Sequence, residues 1–572
     1  MKTGKRVDRM ELACICLLGI IQLSHQWSTP EANTYKAAVV EFNPQVSNTN
    51  ESPIDTNSQE YVSFIQQAAA SEVDIIVFPE DGLTTMNLPD RKSMEFWSTL
   101  IPLNYNPCIQ HDITVHNALK RISCAAREGN MYVVINIAEK LPCDGERCPE
   151  DGKFFFNSQA VFDREGKIIA KYRKTHLFDE PQFDILQNPE VATFDTDFNV
   201  TFGTFICFDM LFKEPALNLT RIHHVTDIVY STAWFSELPF LMAIQAQSQW
   251  AYSEDVNFLA SGYNRPYLAS FGSGIYLGKK GIAKATIGER GSEILIADVP
   301  KKCRQLLTES IKDSQHREFP AKTTEPSHDE FRRKRSEQTE LGLERDSHSP
   351  SDFTLWQDPG LPEYETRPIN SIIRQEKLCQ RDFCCNFTVE TSFVDRGNKY
   401  RLMVRDDIRT FVNTTTIGYQ VCGIVLCGND SINSCGQRMN SETIFTLVKI
   451  TATFVNRENL LILGISSDAS LMPLEWTYSE KIEGDKIHIE AILNNPTKNV
   501  QTLGLYARKF ERDVFPPARS LGSTQLSTSI AIQSWFLVLL VIALTTYLCY
   551  HKYSDYKRRN GAKKDAVHER LK

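Results

Sequence analysis

The chain shows no excess of positive charge. Its 63 lysines and arginines are outnumbered by 71 acidic residues, for a formal net charge of −8, whereas a nucleic-acid partner calls for a strongly basic face. No internal repeat of fixed period is visible, which argues against a solenoid or propeller. The late cysteine cluster lacks interleaved histidines, which argues against zinc. Aliphatic residues are nearly absent between His316 and Asp352, so that stretch cannot bury enough apolar surface to order itself alone. Charged side chains are absent from Ile530–Tyr550, and there the absence points to a membrane.

What is present is a globular composition, 42% hydrophobic and 23% charged, over 572 residues. That length predicts two or more domains. The N-terminus reads as a secretory signal, residues 1–27: Lys2, Lys5, Arg6 and Arg9 precede the apolar run Leu12–Leu23. No small-x-small site marks the cut, and an uncleaved anchor is the alternative, although the run is short for a bilayer. Ile530–Tyr550 has the length of a spanning helix, and the basic residues of 551–572 predict a cytoplasmic tail. Together the two ends predict a single-pass protein at the cell surface whose bulk faces outside. A glycolipid anchor at the outer surface is the alternative, but such a signal normally ends in its apolar tail.

Cysteine usage suits an oxidising compartment. Of 15 cysteines, Cys14 and Cys16 lie in the signal and Cys549 in the span. Cys379, Cys384, Cys385, Cys422, Cys427 and Cys435 read as a disulfide framework whose pairing the spacing leaves open. Cys143 and Cys148 bracket a short turn-rich stretch suited to a small loop. Six N-x-S/T sequons, at Asn50, Asn199, Asn218, Asn386, Asn413 and Asn429, are candidates for glycosylation.

Strand-like and helix-like runs alternate over residues 34–300. "KAAVVEF", "VDIIVFPE" and "MYVVINIAEK" read as strands, "SQEYVSFIQQAAASE" and "HNALKRISCAAREGN" as helices, and "NSQAVFDREGKIIAKYRK" as a hairpin. The alternation predicts an α/β domain with helices covering the sheets. Residues 301–370 read as a charged linker or mobile loop. Arg332–Arg335 within it is either a processing site or a solvated charge run. Residues 371–515 alternate or carry β-branched runs and read as a β-rich, disulfide-stapled domain.

Three chemically capable residues end apolar strands. Glu80 ends "VDIIVFPE", Lys174 lies in "KYRKTHLFD" and Cys207 ends "FGTFIC". Sites in open α/β sheets are built at strand ends. A thiol is a good nucleophile only as thiolate. A nearby carboxylate can take its proton, and a fixed ammonium can stabilise the oxyanion that forms on attack at a carbonyl. The protonated carboxyl can then pass its proton to the departing amine. The outcome is amide cleavage through a thioester, with no metal, no other cofactor and no histidine base. Taken singly, each residue reads as easily as a solvated strand end, a surface lysine or a core cysteine. Their order and flanks change that balance.

"FPEDG", "YRKTHLFDE" and "FGTFICFDMLF", in that order, resemble the Glu-Lys-Cys motifs of the nitrilase (carbon–nitrogen hydrolase) superfamily. "DIVYSTAWFSELPF", "VNFLASGYN", "GSGIY" and the late "FCCNF" resemble its vanin and biotinidase branch, and the likeness runs from about Thr34 to about Leu505. The resemblance implies a four-layer α–β–β–α sandwich followed by the β-rich module. It implies Glu80 as proton acceptor, Lys174 as proton donor or oxyanion stabiliser and Cys207 as nucleophile. It adds the Phe208 backbone N–H as an oxyanion donor, Glu180 as a second carboxylate and Trp234 as a pocket or core residue. His176 is expected to support the loop. The implied partner is a small-molecule amide: in this branch pantetheine is split to pantothenate and cysteamine, and biocytin to biotin and lysine. Pantetheine is the leading reading and a biotin amide the second. A surface adhesion protein on an inactive hydrolase scaffold is a third, against which all three residue types stand in their motifs. The membrane span and the long charged insertion depart from the branch, and nothing in the sequence assigns an oligomeric state.

Overall fold

The computed structural model describes residues 27–46, 52–186, 188–289, 291–302, 353–369, 373–412 and 415–514. Residues 1–26 of the expected signal 1–27, Asn50, Cys303, Arg332–Arg335, Asn413, the expected span 530–550 and the expected tail 551–572 lie outside them. Among the described residues no helix is long and apolar enough to cross a membrane.

The N-terminal half grows from strands whose faces alternate. In β1 (Thr34–Glu41) Ala37 and Val39 face a second sheet, while Ala38 and Val40 face helices. β2 (Ile75–Val77), β3 (Tyr132–Pro142), β4 (Lys153–Phe162) and β5 (Ile168–Arg173) extend this sheet. β6 (Ala192–Asp195), β7 (Thr201–Ile206), β8 (Asp227–Thr232), β9 (Glu237–Leu238), β10 (Asn257–Gly262), β11 (Ser273–Leu277), β12 (Ile282–Thr286) and β13 (Glu293–Pro300) follow. The first sheet has the order β13-β1-β2-β3-β4-β5 and the second β12-β11-β10-β8-β7-β6. Val77, Val134, Phe202, Val229 and Leu259 pack between the sheets.

Helices α1 (Ile54–Ala70) and α2 (Asn117–Gly129) cover the first sheet. They present Tyr61, Ile65 and Ala68 and then Leu119, Ile122 and Ala126, spacings that fall on one helical face. The second sheet is covered by α4 (Ala243–Glu254), which follows the single turn α3 (Asn218–Arg221) and buries Ala246 and Trp250 on Phe205, Tyr230 and Phe258. The expected four-layer sandwich is present.

The C-terminal half is a β-sandwich. After β14 (Trp356–Gln357) come β15 (Glu365–Pro368), β16 (Ile373–Gln380), β17 (Phe383–Phe393), β18 (Lys399–Phe411), β19 (Thr415–Cys427), β20 (Ile444–Val455), β21 (Leu460–Asp468), β22 (Thr477–Glu483), β23 (Lys486–Leu493) and β24 (Val500–Lys509). The sheets are β15-β18-β19-β24-β21 and β16-β17-β20-β23-β22. Disulfides join Cys379 to Cys384, Cys385 to Cys422 and Cys427 to Cys435, and Cys108 to Cys124 in the first half. Cys143 and Cys148 are disulfide-bonded as well. Cys385–Cys422 ties β17 to β19 and so staples one sheet to the other.

One core spans both halves. Met403, Tyr419, Val421, Leu463 and Tyr506 pack with Phe208, Phe240 and Trp250. An ion pair on the buried Glu237 reinforces the junction: the half-buried Arg409 donates through Nη1 and Nη2 to the two Glu237 oxygens at 2.5 and 2.6 Å. Replacing one partner of such a pair leaves a buried charge uncompensated. Arg409→Ala is therefore expected to lower unfolding free energy by about 3–5 kcal/mol, as read by denaturant titration.

The structure shortens the expected linker. Residues 353–369, placed by sequence in the charged segment, carry β14, a 3₁₀ turn (Leu361–Glu363) and β15, the edge strand of the C-terminal sheet. Leu361 and Tyr364 are buried there, and β14 pairs in parallel with β9 of the N-terminal half. The high charge of the stretch before them masks these apolar anchors in a composition reading.

Candidate active site

β1, β2 and β3 run parallel, and β5, reached through two antiparallel pairings, points the same way. The C-terminal ends of β2 and β5 therefore meet at one end of the first sheet. The second sheet brings β7 and β8 to the same place: Ser231 Oγ, on β8, donates to the Phe78 carbonyl just past β2 at 2.6 Å. Glu80, Lys174 and Cys207 each follow one of these strand ends, and all three are buried.

Lys174 Nζ donates to Glu80 Oε1 and to Glu180 Oε2, both at 2.6 Å. Asn157, on β4, donates through Nδ2 to Glu80 Oε1 at 2.8 Å and Glu180 Oε1 at 2.6 Å. The Ala233 N–H, beyond β8, donates to Glu80 Oε2 at 2.9 Å. The Asn157 oxygen accepts from Asn136 Nδ2 at 2.6 Å, and Asn136 Oδ1 accepts from the Asp81 N–H at 3.0 Å. Glu80 thus accepts from three donors.

Cys207 sits at a sharp elbow. It is the only free cysteine among the described residues, and its φ is +46°. A left-handed conformation costs a residue with a Cβ about 1–2 kcal/mol, and such strain concentrates at functional sites. The Tyr230 hydroxyl donates to the Cys207 carbonyl at 2.9 Å and helps hold the elbow. The 3₁₀ turn Cys207–Leu211 starts here and places the Phe208 N–H next to the thiol in the chain.

The electrostatics follow from burial. Burial alone would lower Lys174, yet the charges of Glu180 and Glu80 hold it well above its ordinary value, so it remains an ammonium. Burial and then the Glu80 charge push the Cys207 thiol well up, against the pull of Lys174. The resting thiol is therefore protonated beside a base, not a preformed thiolate. Burial, with the charges of Glu80 and Glu180, also holds Asp81 well above the usual carboxylate range. Glu180 is raised by burial, against Lys174.

This predicts a distinctive pH profile. Moving the proton from Cys207 to Glu80 leaves the protonation of the pair unchanged. Alkylation of Cys207 by iodoacetamide is therefore expected to be nearly flat around neutral pH. In Glu80→Gln the reaction must wait for free thiolate, whose fraction grows about tenfold per pH unit below a raised pKa. That variant should be slower at pH 7 and should climb with pH.

Aromatic rings cluster beside the site, in the core that holds Cys207. Phe178 lies 5.1 Å from Phe208, 5.9 Å from Phe235 and 6.3 Å from both Phe411 and Trp356, ring centre to ring centre. Phe411, at the end of β18, also meets Phe208 edge-on at 5.4 Å. Trp234 is buried in the same core cluster and donates its indole N–H to the Leu241 carbonyl at 2.8 Å. His176 stacks on Phe212 at 3.7 Å. Of the candidate sequons within the described residues, Asn199, Asn386 and Asn429 are exposed and Asn218 is half-buried.

The structure brings Glu80, Lys174, Glu180 and Cys207 into one centre. Asn157, Asn136, Asp209 and Phe411 were not anticipated. Asn157 left a trace, as an amide inside the apolar strand "KFFFNSQAVF". Phe411 left none, since it lies on the other domain.

Residues 36–306 match the carbon-nitrogen hydrolase family, and residues 353–513 match the vanin C-terminal domain. Vanin-like protein 1 of Drosophila melanogaster is 32% identical over 533 residues, covering 87% of this chain and 90% of its own. The chain belongs to the vanin branch of the carbon–nitrogen hydrolases. Human pantetheinase is 28% identical, over 89% of this chain and 94% of its own, and human biotinidase 29%, over 84% and 90%. As a vanin-type hydrolase the chain acts on carbon–nitrogen bonds of amides.

Proposed function

We propose that this vanin-type hydrolase splits pantetheine into pantothenate and cysteamine. Cys207 attacks the amide carbonyl as Glu80 takes its proton. The Lys174 ammonium and the Phe208 N–H stabilise the oxyanion. Protonated Glu80 then gives its proton to the departing amine, and water, activated by the same carboxylate, hydrolyses the thioester. Glu180 and Asn157 hold Lys174 and Glu80 in register. The observation that carries this reading is Lys174 held at 2.6 Å from the buried Glu80 and the half-buried Glu180, beside the one free cysteine among the described residues.

The aromatic cluster supports the choice of amide. Pantetheine is uncharged along its length, whereas the lysine part of biocytin carries two charges that aromatic rings leave poorly solvated. The disulfides support an extracellular site, and the apolar run 530–550 supports anchorage at the cell surface. The test is amine release by the full chain from pantetheine and from biocytin, side by side. Turnover of pantetheine supports the reading, and turnover of biocytin alone reverses the order of substrates. Phe411→Ala is expected to raise KM for pantetheine about 10-fold with kcat changed less, since it removes a binding surface and no reacting group. Steady-state kinetics separate the two.

A further inference from the structure

Asp209, two residues past the candidate nucleophile, is fully buried and has no part in the proton transfers above. Its carboxylate gathers donors from both catalytic strand ends. Oδ2 accepts from the Tyr172 hydroxyl at 2.7 Å and from the Ile206 N–H at 3.2 Å. Oδ1 accepts from the His176 N–H at 2.9 Å and lies 2.8 Å from His176 Nδ1. Tyr172 and His176 stand two residues before and two residues after Lys174, and Ile206 immediately precedes Cys207.

We propose that Asp209 is the positioning residue that locks the Lys174 loop to the Cys207 elbow, so that ammonium and thiol keep one geometry through the reaction. The chemistry of the acceptor matters. Three donors and the His176 Nδ1 face one group, and an ionised carboxylate offers about four lone-pair sites, all of them acceptors. An amide of the same shape offers one oxygen and turns an NH₂ toward two of the donors. Burial and the Asp209 charge hold the Tyr172 hydroxyl well above its ordinary pKa, so it remains a donor. The stacking of His176 on Phe212, in the segment just after the elbow, adds a second tie between the same two loops. The proposal rests on Cys207 as nucleophile, and it is readable without a known substrate.

The test is alkylation of Cys207 by iodoacetamide in the full chain, followed by intact mass across neutral pH. Asp209→Asn is expected to slow labelling at pH 7 about 10- to 100-fold, the scale set by a small misalignment of reacting groups. It is also expected to replace the flat wild-type profile with one that climbs with pH, because Glu80 and the thiol are no longer aligned. A lesion that only loosened packing would lower melting temperature and leave the shape of that profile alone. Folded Asp209→Asn with wild-type rate and profile overturns the proposal. If Asp209→Asn does not fold, Tyr172→Phe removes one donor from the same carboxylate. It should slow labelling several-fold, and an unchanged rate there overturns the proposal too. Wild-type protein that is never labelled at Cys207 would instead contradict the nucleophile itself.

Discussion

Cys207→Ala is expected to abolish amide turnover, by about 10⁴-fold or more, the scale on which loss of a nucleophile is felt in enzymes whose groups act as a unit. Cys207→Ser should be nearly as inactive. A hydroxyl is far less acidic than a thiol, and Glu80 is a weak base for it. Neither change should unfold the protein. The thiol is one small group in a core cluster that runs through Phe205, Phe208, Tyr230 and Trp250, and the elbow is held by the backbone carbonyl that Tyr230 grips. Melting temperature within a few degrees of wild type, alongside lost turnover, would mark the defect as chemical.

Lys174→Met is expected to cost both activity and stability. Activity should fall about 10³-fold, as when a preorganised oxyanion partner is removed. Stability should fall by about 3–5 kcal/mol, because the lysine is the cation between the buried Glu80 and the half-buried Glu180 and its removal leaves their charges uncompensated. The sign of the pH dependence follows. Without the ammonium, the burial that already raises Glu180 acts unopposed by Lys174, and that carboxyl takes up a proton more readily in the folded state than in the unfolded one. Stability of Lys174→Met should then rise on acidification and fall as pH increases. Adding Glu180→Gln should recover part of the stability and none of the turnover. Denaturant titrations at pH 5 and pH 8 with parallel assays check each arm. Lys174→Arg is not a conservative rescue, since its planar fork does not fit the place of a compact ammonium held at 2.6 Å by two carboxylates.

Glu80, Lys174 and Cys207 each close a strand whose apolar pattern is strong, but it was the order and flanks of their motifs, through the resemblance to the carbon–nitrogen hydrolases, that picked them out. β2, β5 and β7 were readable from period and β-branched content. Glu180 was legible only as the nearest carboxylate after Lys174. What binds these groups together was less visible. Asn157 acts across two strands, on Glu80 and Glu180, and its partners are defined only once β4 lies beside β5. Asp209 reads as a polar residue after a strand until Tyr172 and His176 fold onto it. Helix α4 gave no amphipathic signal because it buries Gln245, Gln247 and Trp250 together with its small residues, so no polar face remains to mark the period. The C-terminal part of the aromatic cluster was illegible for a different reason. Phe411 and Arg409 lie some 200 residues from Cys207 in the chain, and single-sequence periodicity carries no signal for contacts between domains. Residues 353–369 were hidden by the charged stretch that precedes them.

The most direct measurement is intact-mass analysis of the full chain, quenched in acid during turnover of pantetheine, with peptide mapping of any adduct. The account predicts a pantothenoyl thioester on Cys207, labile to hydroxylamine and absent from Cys207→Ala. Turnover by folded protein with the acyl group on another residue, or turnover that persists in Cys207→Ala, would contradict it.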